Sequence, residues 1–145
     1  MNAFDEAIES VRSGRAAFIY LKNGVIEGEA SGLGVKPILL FYDYDKDALK
    51  GAEVVDKVVG KAAALLFCLI GVKVVFGLTM SRSAYDYLKK IGIDASYGIL
   101  VEMIENREGT GMCPLESAVK DIDDPEKGLL AIREAIKLLM AKKSS

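Results

Sequence analysis

The run from Val54 to Val72, VVDKVVGKAAALLFCLIGV, constrains the fold most, because from Val58 onward Lys61 is its only charged residue. A segment that is apolar nearly all round has to be buried on every side. Its pattern predicts a central helix over about residues 57–70, with Asp56 as the N-cap. The stretch after Lys61 is much shorter than the roughly 18 apolar residues that a membrane span needs, so we expect no membrane association.

The composition is that of an ordinary soluble domain, and we expect one domain over residues 1–145. The net charge is −2 and no basic stripe stands out, so nucleic acid is not an expected partner. The acidic, amphipathic N-terminus is unlike a signal or transit peptide, and the two cysteines form no C-x-x-C motif. Both features predict a reduced, cytoplasmic protein.

Histidine is absent, which removes the commonest general base at neutral pH and the commonest zinc ligand. We therefore expect no metal site and no cofactor. Any catalysis has to use Cys, Lys, Asp, Glu, Tyr or Arg side chains.

Helical and strand patterns alternate along the chain, which predicts a mixed sheet covered by helices on both faces. The expected elements are a helix at 3–12, a hairpin of strands 16–22 and 25–30 turning at Asn23-Gly24, a helix opened by Pro37, the central helix, a strand in VKVVFGLTM, a helix from its N-cap Ser81 to Gly92, a strand at 95–104, a short helix after Cys113 and a last helix capped by Asp124-Pro125. For the apolar segment after Pro37, a short strand is the alternative to a helix.

Two adjacent residues, Gly60 and Lys61, are both unfavourable at the start of the predicted central helix. A cation there opposes the helix dipole by about 0.3–1 kcal/mol, and a glycine inside a helix costs about 1 kcal/mol relative to alanine. Gly60 and Lys61 therefore indicate that a negative or strongly polar group approaches this turn closely. A Walker P-loop is excluded, because the motif needs glycine where Val55 stands and Ser or Thr where Ala62 stands. The alternative is that Lys61 reaches solvent or pairs with Asp56 or Asp5, and that Gly60 only permits close packing.

The segment GTGMCPLES places a cysteine where a helix begins. Pro114 suits the first helical position and Glu116 the third, so Cys113 is the predicted N-cap of a capping box, C-x-x-E. A thiol caps less well than the oxygens of Ser, Thr, Asp or Asn, whereas a helix N-terminus lowers a thiol pKa and favours the nucleophilic thiolate. Asn106 and Arg107, just upstream, are candidate ligand contacts. The alternative is a buried thiol that acts as a small hydrophobic side chain.

The segments DKVVGKAAALL, SYGILVEMIENREGTGMCPLESAV and GVKPILLF resemble a prokaryotic family of domains of unknown function with a cytidine-deaminase-like fold. The resemblance runs from about residue 4 to about residue 136, and it implies a three-layer α/β/α domain with a mixed sheet. Zinc deaminases of this fold begin one helix with H-x-E and the next with P-C-x-x-C. This chain has Gly60-Lys61-Ala62 and MSRSA at those places, so the zinc ligands and the glutamate are missing.

The resemblance also implies that Lys61 lies on the floor of an inherited ligand cavity, which the loop before Cys113 borders. The function we predict is metal-independent binding of a small nucleoside-like, nucleotide-like or anionic metabolite. In an enzyme, Cys113 would be the nucleophile, Lys61 would stabilise negative charge, and Asp56 or Glu116 would relay protons.

Two other functions remain open: a non-catalytic ligand-binding or regulatory module, and an oligomeric interaction protein. Because families with this fold commonly form oligomers, the resemblance also implies a homo-oligomer. The predicted ligand-binding residues are Gly60, Lys61, Ser81, Arg82, Asn106, Arg107 and Glu116.

Overall fold

A five-stranded mixed sheet organises the chain. The computed structural model describes residues 1–32 and 34–144. Its elements are α1 (Ala3–Arg12), β1 (Phe18–Lys22), β2 (Val25–Ala30), α2 (Lys36–Tyr44), α3 (Lys46–Leu49), β3 (Glu53–Val59), α4 (Lys61–Ile70), β4 (Val74–Ser81), α5 (Arg82–Lys90), β5 (Asp94–Val101), α6 (Pro114–Val119) and α7 (Pro125–Ser144). The strand order is β2-β1-β3-β4-β5, with β1 antiparallel to both neighbours and β3, β4 and β5 parallel. The predicted mixed α/β sheet is confirmed.

Short sequence signals correctly predicted one hairpin turn and the start of two helices. Asn23 and Gly24 both have positive φ, 52° and 76°, as the predicted hairpin turn requires. The Ser81 hydroxyl accepts a hydrogen bond from the Ala84 backbone N–H at 3.1 Å, so the predicted N-cap of α5 is confirmed. The carboxylate of Asp124 likewise accepts from the N–H of Glu126 at the start of α7.

The predicted central helix over residues 57–70 is wrong in its first part. Residues Glu53–Val59 form strand β3, and α4 begins only at Lys61, with Gly60 as its N-cap. Asp56 therefore lies within a strand and is not an N-cap. The β-branched valines around it favour a strand, and a short buried strand cannot be distinguished from a buried helix by periodicity alone. The strand predicted over residues 95–104 also ends earlier, at Val101.

Helices cover both faces of the sheet. On one face, α1 packs with Ile19, Val55 and Phe76 in a small apolar cluster. On the other face, α4 lies at the centre of a larger cluster to which α2, α5 and α7 also contribute. None of the described helices is long and apolar enough to cross a membrane.

The parallel strands β3, β4 and β5 end at one edge of the sheet, which we call the carboxyl edge. Helix α4 begins there directly after β3, and α5 begins there directly after β4. The segment that follows β5 leads from this edge into α6. In open α/β sheets, this is the edge at which ligands usually bind.

Candidate functional site

The N-terminus of α4 places a buried charged side chain at the carboxyl edge. Lys61 is only 8% exposed, although it lies at the first position of an otherwise apolar helix. A buried ammonium group needs partners, since an unpaired buried charge is very costly. The contacts of Lys61 and its neighbours therefore define the candidate site.

A carboxylate from a distant part of the chain caps α4. Glu116 of α6 accepts hydrogen bonds from the backbone N–H of Lys61 at 2.6 Å and from that of Ala62 at 3.1 Å. These N–H groups have no partner within the helix, and the helix dipole favours a negative charge beside them. We call this contact the Glu116 cap.

Gly60 provides the space for the Glu116 cap. A Cβ atom built on Gly60 would overlap the carboxylate of Glu116, so any larger residue would displace that group. The backbone of Gly60 is extended, with φ −101° and ψ −179°, a conformation that other residues also adopt. Glycine is needed here for close approach, as the sequence predicted, and not for an unusual backbone angle.

The side chain of Lys61 holds the segment between α6 and α7. Its Nζ donates to the backbone oxygen of Lys120 at 3.0 Å and forms an ion pair with Oδ1 of Asp123, also at 3.0 Å. The alternative pairing of Lys61 with Asp56 or Asp5 is wrong, because its ion-pair partner is Asp123. This ion pair also lowers the pKa of Asp123.

Glu116 is largely buried, and burial raises the pKa of its carboxyl group above the ordinary value of 4.5. The N–H groups of Ala62 and Lys61 and the charge of Lys61 act in the opposite direction without cancelling this effect. Perturbed carboxyl pKa values occur at functional sites and also in structural networks of charges, so the contacts of Glu116 decide between the two.

Cys113 lies one helical turn before Glu116. It is the N-cap of α6, as predicted, but its thiol makes no capping hydrogen bond. The predicted capping box is wrong, because the Cys113 N–H donates to the oxygen of Ile104 while the Glu116 carboxylate binds α4. The fold thus brings Cys113 and Lys61 into one neighbourhood, since Glu116 links α6 to α4.

The remaining predicted ligand contacts are engaged within the chain or exposed. Arg82 forms an exposed ion pair with Glu102 at 3.2 Å, at the start of α5. Asn106 exchanges two hydrogen bonds with Thr110, which close the loop between β5 and α6. Arg107, in the same loop, is exposed. None of these contacts connects the loop to Lys61.

Asp56 is buried in the sheet, in the row formed with Phe18 of β1 and Gly77 of β4. Its Oδ2 atom has no hydrogen-bond partner. Burial raises the pKa of this carboxyl group to about 8, although the backbone N–H groups of Lys57 and Val58 act in the opposite direction. At neutral pH the group is therefore mostly protonated.

Sequence reasoning missed Lys120 and Asp123, the two partners of the Lys61 ammonium group. Asp123 belongs to the acidic segment DIDD, which resembles an ordinary solvated turn. No local signal distinguishes it, because its partner lies 62 residues earlier and on another element. Within the described residues, no group of three or more Cys, Asp or Glu side chains is placed to hold a metal ion.

Comparisons with known proteins agree with this fold. Residues 6–136 match the model of a family described as TM1506, domain of unknown function (DUF1893). The crystal structure of a DUF1893 family protein (TM1506) from Thermotoga maritima is similar, with a TM-score of 0.75 and 25% identity, and the match covers 97% of this chain and 89% of that chain. No curated protein matched. Because the family model spans most of the sequence, this chain belongs to the DUF1893 family, whose function is unknown.

Proposed function

We propose that this chain is a metal-independent, cytidine-deaminase-like domain that binds a small anionic metabolite, such as a nucleotide, at the N-terminus of α4. In this proposal a carboxylate or phosphate of the ligand takes the place of the Glu116 carboxylate. The start of both α4 and α5 at the carboxyl edge supports the deaminase-like assignment. A cytoplasmic homo-oligomer stays a prediction of the sequence.

The observation that carries this proposal is the Glu116 cap. Two adjacent backbone N–H groups bind both oxygens of a carboxylate, in a space that Gly60 leaves open. A phosphate group presents oxygens to a helix N-terminus in the same way, and the dipole favours its charge. The N-terminus of α4 is thus a built anion site whose present occupant belongs to the chain.

Replacement of this occupant would couple ligand binding to the position of α6. Glu116 holds α6 on α4, and Lys61 holds the residues after α6 through Lys120 and Asp123. The hydroxyl of Tyr87 on α5 also donates to the oxygen of Asp123, at 2.8 Å. A ligand that displaces Glu116 would break the contact between α6 and α4 but leave the contacts of Lys61 and Tyr87 with the residues after α6. Ligand binding would then move α6 without unfolding the site, which suits a regulatory module.

Removal of the internal carboxylate tests the anion site directly. We expect Glu116→Ala to gain a binding site for acetate and for inorganic phosphate, so that either anion raises its melting temperature while the wild type responds less. The expected rise follows from binding to the folded state only. Differential scanning fluorimetry against acetate and phosphate, with chloride at matched ionic strength, measures this response.

The matched control is Gly60→Ala combined with Glu116→Ala, because the added Cβ fills the space where the carboxylate lay. This double variant should lose the response to both anions. A similar rise in the double variant, or no rise in Glu116→Ala, contradicts the proposed site. Once the site is established, nucleotides and carboxylated metabolites can be ranked by competition with acetate.

A second candidate function is an enzyme that uses Cys113 as its nucleophile. Two observations favour it. The thiol of Cys113 makes no capping hydrogen bond and lies one helical turn from Glu116. The pKa of the Glu116 carboxyl group is raised, which suits a proton relay. Lys61 would then stabilise developing negative charge.

For this candidate, we expect Cys113, in a Cys68→Ser background, to be alkylated at neutral pH several times faster than the free thiol of glutathione, because a nucleophilic cysteine reacts as an accessible thiolate. Iodoacetamide labelling followed by mass spectrometry gives the rate. A rate equal to or below that of glutathione contradicts the enzyme and leaves the binding module. Cys113→Ser is the control for labelling elsewhere.

A further inference from the structure

We propose that a depression between the end of α1 and the end of β2 binds the phosphate group of a small phosphate ester through Arg15 and Lys57. The depression has a volume of about 380 Å³ and is lined by residues 14–17, 29–31 and Lys57. This volume lies within the range of small-molecule sites. The site is separate from the N-terminus of α4.

Strand register explains how these residues meet. Phe18 pairs with Ala30 on one side and with Asp56 on the other, so these three residues form one row across the sheet. The next row contains Ala17 and Lys57, joined by a hydrogen bond from the Lys57 N–H to the Ala17 oxygen at 3.1 Å. Because Phe18 and Ala30 face the large core beside α4, the next row faces the opposite side of the sheet.

The loop that carries Arg15 is fixed on α1. The N–H groups of Arg15 and Ala16 both donate to the oxygen of Ser10, at 2.9 and 3.2 Å. Gly14 reverses the chain with φ 83°, which glycine adopts readily. With the Lys57 hydrogen bond at its other end, this loop is held in place before any ligand arrives, which lowers the entropic cost of binding.

Arg15 and Lys57 lack partners for their charges. Among the described residues, neither side chain forms a hydrogen bond or an ion pair, whereas Arg12, Arg82 and Arg133 are each paired with a carboxylate. The C-terminal end of α1 favours a cation, which accounts for Arg15 alone. The helix end explains neither the unpaired charge of Lys57 nor the depression between Arg15 and Lys57. Two unpaired cations in one concave site favour a doubly charged anion.

The other polar residues of the depression suit hydroxyl groups. Glu29 can accept hydrogen bonds and Ser31 can donate or accept them, and the remaining lining residues are glycine and alanine. A phosphate ester of a small polyhydroxy compound matches this combination of charges and hydrogen-bonding groups. A free amino acid has one negative charge for the two cations, but its ammonium group would pair with Glu29, so serine is the competing ligand that the test includes.

Calorimetric titration with ribose 5-phosphate tests the proposal on the full chain. We expect saturable binding at one site, and we expect Arg15→Gln combined with Lys57→Gln to weaken it by at least about tenfold. Lys73→Gln combined with Lys127→Gln removes the same charge at two exposed positions outside the depression and should leave the affinity within about twofold. Ribose without phosphate should not bind.

Several outcomes overturn the proposal. These are no binding of ribose 5-phosphate at about 10 mM, an equal loss in the control pair, equally tight binding of serine, or a preference for a short single-stranded oligonucleotide. Arg15→Gln combined with Lys57→Gln should leave the response of Glu116→Ala to acetate unchanged, since Glu116 contacts α4 on the other face of the sheet. That result separates a failure here from a failure of the anion site on α4.

Discussion

Gly60→Ala is expected to lower the free energy of unfolding by about 2 kcal/mol, because its Cβ displaces the carboxylate of Glu116 from α4. The backbone angles of Gly60 suit alanine, so strain does not add to this loss. Urea denaturation followed by circular dichroism measures the change. Gly111→Ala is the matched control, since nothing lies within 4 Å of an added Cβ there and φ is not positive. It should change stability by less than about 0.5 kcal/mol.

A double-mutant cycle identifies the cause of this loss. Glu116→Ala alone should also cost about 2 kcal/mol, because it removes two charge-assisted hydrogen bonds from partly buried N–H groups. Gly60→Ala in that background has no carboxylate left to displace and should be nearly neutral. The two losses are therefore strongly non-additive if the Glu116 cap is the link. Additive losses would show that Gly60→Ala acts through something else.

The first turn of α4 shows what can and cannot be predicted from the sequence alone. Gly60 beside Lys61 correctly predicted that a negative or strongly polar group approaches the first turn of α4. The sequence could not identify this group as Glu116, because the hydrogen bond spans 55 residues and depends on where the segment after β5 returns. The C-x-x-E pattern predicted that Glu116 would bind the backbone N–H of Cys113, but in the structure its carboxylate binds α4 instead.

The boundary between β3 and α4 shows a different limit. Val54 to Val59 and Ala62 to Leu66 are all apolar apart from Asp56 and Lys57, so no change of period marks where the strand ends. Gly60 marks the boundary in the structure. Local propensity instead predicts a helix start at Asp56, since an aspartate is a good N-cap and a poor strand residue. That preference is outweighed because Val54, Val55 and Val59 are buried in the sheet.

Asp56 gives the second large expected effect, a loss of stability as pH rises. Its carboxyl pKa is about 8 in the folded protein and 3.8 ordinarily, so the folded state binds more protons than the unfolded chain between these two values. The free energy of unfolding then falls as pH rises through this window and levels off above it. At about 1.4 kcal/mol for each pH unit, the interval between the two pKa values corresponds to a loss on the order of 5–6 kcal/mol, a large part of the stability of an ordinary domain.

Asp56→Asn should remove this dependence, because an amide has nearly the same shape and no charge to lose. At about pH 5 the variant should be as stable as the wild type or slightly less stable, and at about pH 9 it should be more stable by at least about 2 kcal/mol. Urea denaturation across this range measures both profiles. Asp86→Asn, at an exposed position of α5, is the control and should follow the wild type. Parallel profiles for Asp56→Asn and the wild type would mean that the buried carboxyl group finds a compensating partner when it ionises. A profile that is flat only in Asp56→Asn shows that the protein retains, within β3, a carboxyl group that burial keeps neutral.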